Sequence, residues 1–232
     1  MHQRTAQTAD TMAAPRPTST PDLSHPGLLV MDVDSTLIDE EVIDLLGAAA
    51  GVGEQITAIT DHAMCGELDF AGSLKARVKL LQGLSINILD EVYAQLHFTH
   101  GALELIDELH RREWKVAVVS GGFHEIVDRL ACTAHIDHWL ANRLGVEHGA
   151  LTGEVIGDIV TKDTKLHALR RWSAEEGIDM GQTVAVGDGA NDIPMIRAAG
   201  LGIAFCAKPA VQREADRSIE QRDLTQVLDM LA

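Results

Sequence analysis

The chain has 232 residues, with 19 Lys and Arg against 35 Asp and Glu, for a formal net charge of −16. That field repels a nucleic-acid duplex and an anionic membrane surface, so neither is an expected partner. Hydrophobic residues make up 46% and aromatics only 3%, which points to a core of Ala, Val, Leu and Ile in packed layers of strands and helices.

The first 26 residues are rich in Thr, Ala and Pro and lack the apolar core of a signal peptide. They read as a disordered tail. No apolar run approaches the ~20 residues of a membrane span, so the expectation is a cytoplasmic protein. Cys65, Cys132 and Cys206 are widely spaced, without a C-x-x-C, and read as buried or incidental thiols of a reducing compartment.

Leu28–Met31 is the first continuous apolar run, the pattern of a strand buried on both faces in a parallel sheet. More than a simple crossover follows it. Val42, Leu45, Leu46 and Ala49 repeat at helical spacing, as do Leu74, Val78 and Leu81, so a small helical cap is expected at about 39–97. Ala102, Leu105, Ile106 and Leu109 mark one face of a further helix. Val116–Val119 is the second run. Trp139–Ile156 carries turn signals at His148-Gly149 and Thr152-Gly153 and predicts a β-hairpin. Thr183–Val186 and Leu201–Phe205 complete the set. Strands alternating with helices predict a doubly wound α/β fold with a mostly parallel sheet, the cap and hairpin being insertions in it.

Three of these runs end in polar motifs. Met31-Asp32-Val33-Asp34-Ser35-Thr36 brings two carboxylates to the carboxyl end of a buried strand, the edge where open α/β sheets bind ligands. Two buried acids call for a cation, and a hard one such as magnesium suits oxygen ligands. Val186-Gly187-Asp188-Gly189-Ala190-Asn191-Asp192 delivers further acids to the same edge, Asp188 being placed to join Asp32 on the metal. Ser120-Gly121-Gly122-Phe123 offers a hydroxyl and successive backbone N–H groups, a cradle for an anion. Lys165 begins a helix, and a metal–phosphate site needs a cation on its other side.

In this order the pieces resemble the haloacid dehalogenase superfamily of phosphotransferases. Within it, DVDSTLIDEE, VVSGGF, ANRL with LTGEV, VAVGDGANDIPM and IAFCAKP are similar to the phosphoserine phosphatase family, from about Leu28 onward. The resemblance implies Mg2+-dependent hydrolysis of O-phosphoserine, the last step of serine biosynthesis. It implies Asp32 as nucleophile, Asp34 as general acid and base with its carbonyl on magnesium, and Asp188 as third metal ligand. Ser120, Gly121 and Lys165 would hold phosphoryl oxygens, supported by Gly122. Asn191 would contact the substrate phosphate, and Asp192 would support the metal shell or Lys165. In the cap, Glu41 would take the substrate ammonium, with Glu40 as the neighbouring alternative. Arg77 would clamp the carboxylate, and Met64 and Phe70 would close the pocket.

Relatives often carry an N-terminal regulatory domain, and only the short tail precedes the first strand here, so control through such a domain is not expected. A monomer or a homodimer fits the acidic surface. Two rival readings stand beside this one. A related phosphotransferase would use another ester or an acceptor such as homoserine with the same catalytic core, so Glu41 and Arg77 are the discriminators. A receiver-like signalling domain also uses Asp, Mg2+ and Lys, but needs neither a cap nor a second acid at Asp34. No G-x-x-x-x-G-K-[ST] is present, which sets aside a P-loop kinase or ATPase.

Overall fold

The computed structural model describes residues 20–64 and 69–231. Its strands are β1 (Leu28–Met31), β2 (Lys115–Phe123), β3 (His138–Glu147), β4 (Ala150–Ile156), β5 (Thr183–Gly187), β6 (Leu201–Phe205) and β7 (Arg217–Ile219). They form one sheet in the order β4-β3-β2-β1-β5-β6-β7. Every neighbouring pair is parallel except β3 with β4. Central β1 is buried throughout, which is why its sequence is a continuous apolar run rather than an alternating one.

Successive side chains of β1 feed opposite cores. Leu29 and Met31 join Val116, Val118, Val184 and Val186 on one face, where α5 (Ala102–Arg111) and α6 (His124–Thr133) cover the sheet. Leu28 and Val30 join Ala117, Val119 and Ala185 on the other, beneath α7 (Lys162–Glu175) and α8 (Ile193–Ala198). The period of two along a strand dictates this division. Each Leu, Ile or Val so buried contributes about 1.5–3 kcal/mol.

Between β1 and α5 the chain forms α1 (Val42–Ala49), α2 (Gly53–Met64), α3 (Phe70–Lys79) and α4 (Ile88–Tyr93). Exit and return run side by side. Ile38 bridges Phe98, the Asp39 N–H donates to the His97 carbonyl at 3.0 Å, and the Thr99 N–H donates to the Leu37 carbonyl at 2.9 Å. The hairpin β3–β4 turns at His148-Gly149, both with positive φ (52° and 76°), as a two-residue hairpin turn requires. Its second strand also holds these helices from outside: Leu151 exchanges backbone hydrogen bonds with Gly83 and Leu84, each 2.8 Å.

Several expectations need correction. Thr152-Gly153 is not a turn but part of β4. Gly153 takes φ +77° where the strand passes the cap, and a Cβ there would lie 2.8 Å from Gln82 Cβ. The hairpin is not a separate insertion either, because β3 pairs in parallel with β2 and extends the main sheet. Residues 1–19 of the expected tail lie outside the described residues, but its end is fastened. Pro21 is buried, the Leu23 N–H donates to the Leu231 carbonyl at 3.2 Å, and Leu23 packs on the core. Cys132 and Cys206 are free and exposed, which leaves the incidental alternative of the two read for them, and Cys65 lies outside the described residues. Among the described residues no helix is long and apolar enough to cross a membrane.

Candidate active site

The sheet's carboxyl edge and α1 and α3 enclose a cavity of about 220 Å3, lined by polar groups from both and by Ile43, Leu74 and Phe123. Asp32 leaves β1 directly. Its Oδ1 accepts from the Val33 N–H at 2.8 Å and from Lys165 Nζ at 2.7 Å. Lys165 is 1% exposed and also donates to Asp192 Oδ1 at 2.7 Å. It sits in the first turn of α7, which Thr161 caps by accepting from the Thr164 N–H while Thr164 returns the bond. Burial alone would lower the Lys165 ammonium, but Asp192 and Asp32 outweigh it and hold it firmly protonated.

Asp34 is aimed differently from Asp32. Its Oδ1 accepts from the Val42 N–H at 2.9 Å, where α1 begins, and its Oδ2 accepts from the Ser120 hydroxyl at 3.2 Å. Burial, with the Asp32 charge adding to it, pushes the Asp34 carboxyl up to about 6 despite those donors. The wide turn that carries it needs a left-handed residue, and Ser35 supplies it at φ 56°. Ser120 Oγ accepts from the Gly122 N–H at 2.7 Å.

At the end of β5, Gly187 and Gly189 allow a tight loop. A Cβ on Gly187 would lie 2.4 Å from Asp192, and the Gly189 N–H donates to Asp192 Oδ2 at 3.0 Å. Asp32, Asp188 and Asp192 bring one carboxylate oxygen each within 4.8 Å of one another. Burial and the Asp32 charge push Asp188 up to about 6. Crowded acids served by one lysine, all hard oxygen donors, fit a divalent cation.

The N-cap of α1, Glu41, and Phe70 and Arg77 of α3 line the same cavity. Glu41 accepts from the Ser35 hydroxyl at 2.7 Å. Burial and the nearby Asp34 push it up to about 7. Arg77 is half-buried, its Nε donating to the Ser73 carbonyl at 3.4 Å. Phe70 lies over the cradle, 3.1 Å from where a Gly121 Cβ would stand.

A family model described as haloacid dehalogenase-like hydrolase matches residues 29–197. The chain belongs to this family. A phosphoserine phosphatase of Streptococcus thermophilus is 58% identical over 205 residues, 88% of this chain and 95% of that one. A solved phospho-aspartyl intermediate analogue of phosphoserine phosphatase aligns at TM-score 0.84 and 44% identity, covering 90% of this chain and 100% of that one. A substrate-bound phosphoserine phosphatase complex aligns at TM-score 0.84 and 44% identity, over 89% and 99%.

This hydrolase thus brings Asp32, Asp34, Asp188, Asn191, Gly121 and Gly122 to one cavity with Glu41, Phe70 and Arg77, with Ser120, Lys165 and Asp192 bonded just behind. Glu40 is not at the cavity and bonds His97 Nδ1 at 2.7 Å, so Glu41 is the acid that faces it. Met64 closes α2, and its side chain lies outside the described residues. Three contributors escaped the sequence reading. Ser35 orients Glu41. Arg222 pins the Asp34–cap connection through Asp39 Oδ1 (2.5 Å) and the Ser35 carbonyl (3.0 Å). Asn142 holds the Gly121 carbonyl at 2.8 Å. Only Asn142 carried a local signal, an amide within a strand, where Asn is depleted.

Proposed function

We propose that this hydrolase releases phosphate from O-phosphoserine in a magnesium-dependent reaction through a phosphoaspartate on Asp32. The carrying observation is a single small cavity whose lining joins Asp32 and Asp34 with an acid, Glu41, and a guanidinium, Arg77. Phosphoserine presents the matching set: a phosphoryl group, an ammonium and a carboxylate. The likeness to phosphoserine phosphatases over 88% of the chain supports the same reading.

Asp32 and Asp188, with the Asp34 main-chain carbonyl, would hold magnesium, which when bound neutralises charge on the phosphoryl group. Lys165 holds the Asp32 carboxylate in place. The Ser120–Gly122 turn and Asn191 hold phosphoryl oxygens. An Asp32 oxygen attacks phosphorus as the bond from phosphorus to the seryl oxygen breaks. Asp34, poised near 6, gives its proton to that oxygen, and serine leaves. Asp34 then takes a proton from a water whose oxygen attacks the phosphoaspartate, releasing phosphate and restoring Asp32. Glu41 and Arg77 bind the amino-acid end, Arg77 through a two-pronged grip on the carboxylate. Phe70, over the cradle, excludes water.

Phosphate release from O-phosphoserine, with and without Mg2+, tests this in wild type and Asp32→Asn. Magnesium-dependent turnover that vanishes in Asp32→Asn is expected. Full activity in Asp32→Asn overturns the chemistry. Turnover of an aryl phosphate but not of phosphoserine overturns the substrate.

A further inference from the structure

Strand β2 does not run evenly beside β3. Its pairing jumps from Val119↔Leu140 to Phe123↔Asn142, four steps on one strand against two on the other. Three residues, Ser120–Gly122, stand against Ala141 alone, so two are surplus and this turn bulges out of the ladder. Such a bulge leaves backbone groups without ladder partners. One of them, the Gly121 carbonyl, is taken by a side chain: Asn142 Nδ2 donates to it at 2.8 Å. The other end of the same amide, Oδ1, accepts from the Val160 N–H at 2.8 Å. Asn142 is 1% exposed, and its two partners, one acceptor and one donor, fix which way the amide faces.

From this arrangement we infer that Asn142 is a positioning residue for the reaction, one that locks the orientation of the Gly121–Gly122 peptide and so shapes the phosphate cradle. The inference rests on the phosphoryl site proposed above. The Gly121 carbonyl and the Gly122 N–H belong to one rigid trans peptide and point in opposite directions. Asn142 anchors the carbonyl on one side. The N–H is thereby presented on the other, where it donates to Ser120 Oγ at 2.7 Å. Ser120 Oγ in turn donates to Asp34 Oδ2. Glycine on both sides makes this peptide unusually free to rotate. A rotated peptide would point a carbonyl where a donor is needed. Through Val160, the residue before the Thr161 cap of α7, the same amide also ties the cradle to the helix that carries Lys165.

Asn142→Asp and Asn142→Leu test this, read against wild type. Leucine removes both bonds at similar size. Its kcat should fall on the order of 10²-fold, the scale of a misplaced reacting group. Its inhibition constant for orthovanadate should rise by about 10-fold, equivalent to about 1.4 kcal/mol. The Mg2+ activation constant should stay within about 2-fold, because Asn142 touches none of the acids. In Asn142→Asp the carboxylate keeps the Val160 bond but repels the Gly121 carbonyl. Protonation restores a donor, so its deficit relative to wild type should shrink as pH falls. The amide resonance of Gly122 should shift in both variants. Unchanged kcat and vanadate inhibition overturn the inference. So does a parallel rise in the vanadate and Mg2+ constants with a lowered Tm, which would show a general loosening. Loss of phosphoserine turnover in wild type, with the Gly122 resonance still responding to Asn142, would remove the proposed substrate and leave the positioning role standing.

Discussion

Lys165 Nζ lies 2.7 Å from Asp32 Oδ1, and the lysine is 1% exposed. A second carboxylate, Asp192, meets the same nitrogen at 2.7 Å. The ammonium is therefore the shared counter-charge of two buried acids rather than a surface ion pair. Removing one partner of such a group leaves uncompensated charge behind, at a cost of about 3–5 kcal/mol. Lys165→Met should accordingly lower thermal stability and reduce kcat by roughly 10²–10³-fold, the scale of a lost electrostatic stabiliser. Calorimetry and steady-state kinetics check this. A stable variant with wild-type kcat would contradict it.

In the proposed function, Glu41 and Arg77 divide recognition between them. Glu41→Gln should raise KM for phosphoserine by about 10-fold, the loss of one charged contact, and leave an aryl phosphate nearly unaffected. Arg77→Ala should erase the preference for phosphoserine over phosphoethanolamine, which lacks the carboxylate. Competition assays with the two esters read both effects. An equal loss on every ester would place these residues in the chemistry rather than in selection.

Gly122 has no room for a side chain. A Cβ would stand 2.8 Å from Asp34 Oδ2 and 3.0 Å from Ser120 Oγ. Gly122→Ala should push the acid away from the cradle and cut kcat by roughly 10²-fold. Overpacking costs about 1–3 kcal/mol, so the fold should survive. Kinetics beside a melting curve separate the two. Unchanged kcat would show that the turn yields freely.

Asp137 lies away from the cavity and reports on the fold. Burial pushes its carboxyl up, but Lys115, the Val116 N–H and His110 outweigh this and hold it below the ordinary 3.8. These contacts are 2.8, 2.9 and 2.9 Å. A depressed folded pKa stabilises the protein above the unfolded value, and the contribution is lost as pH falls through the folded value. Asp137→Asn should lower stability by about 1–3 kcal/mol near neutral pH. The gap to wild type should hold down to about pH 5 and close below about pH 4. Urea unfolding across that range measures it, and a gap that widens in acid would refute it.

The sheet was legible because its signals are local. Continuous apolar runs marked β1, β5 and β6 to within a residue, since burial on both faces leaves no polar position to interrupt them. β7 has three residues, too few for any period. Thr152-Gly153 looked like a turn because glycine's freedom serves a turn and a close approach alike. Only the contact with Gln82 distinguishes them.

By itself the sequence determined the chemistry available at one sheet edge: Asp32 and Asp34 after β1, the Ser120 turn near the end of β2, Asp188 to Asp192 after β5, and Lys165 on the helix between. Strand ends and glycine turns are written in neighbouring residues. Tertiary structure decided which of these groups touch. Lys165 reaches Asp192 across 27 residues, and Arg222 reaches Asp39 across 183. It also decided that Glu41 rather than Glu40 faces the cavity, and that Asn142 holds the cradle. Such pairings depend on sheet order and on the register between β2 and β3, and no local pattern encodes either.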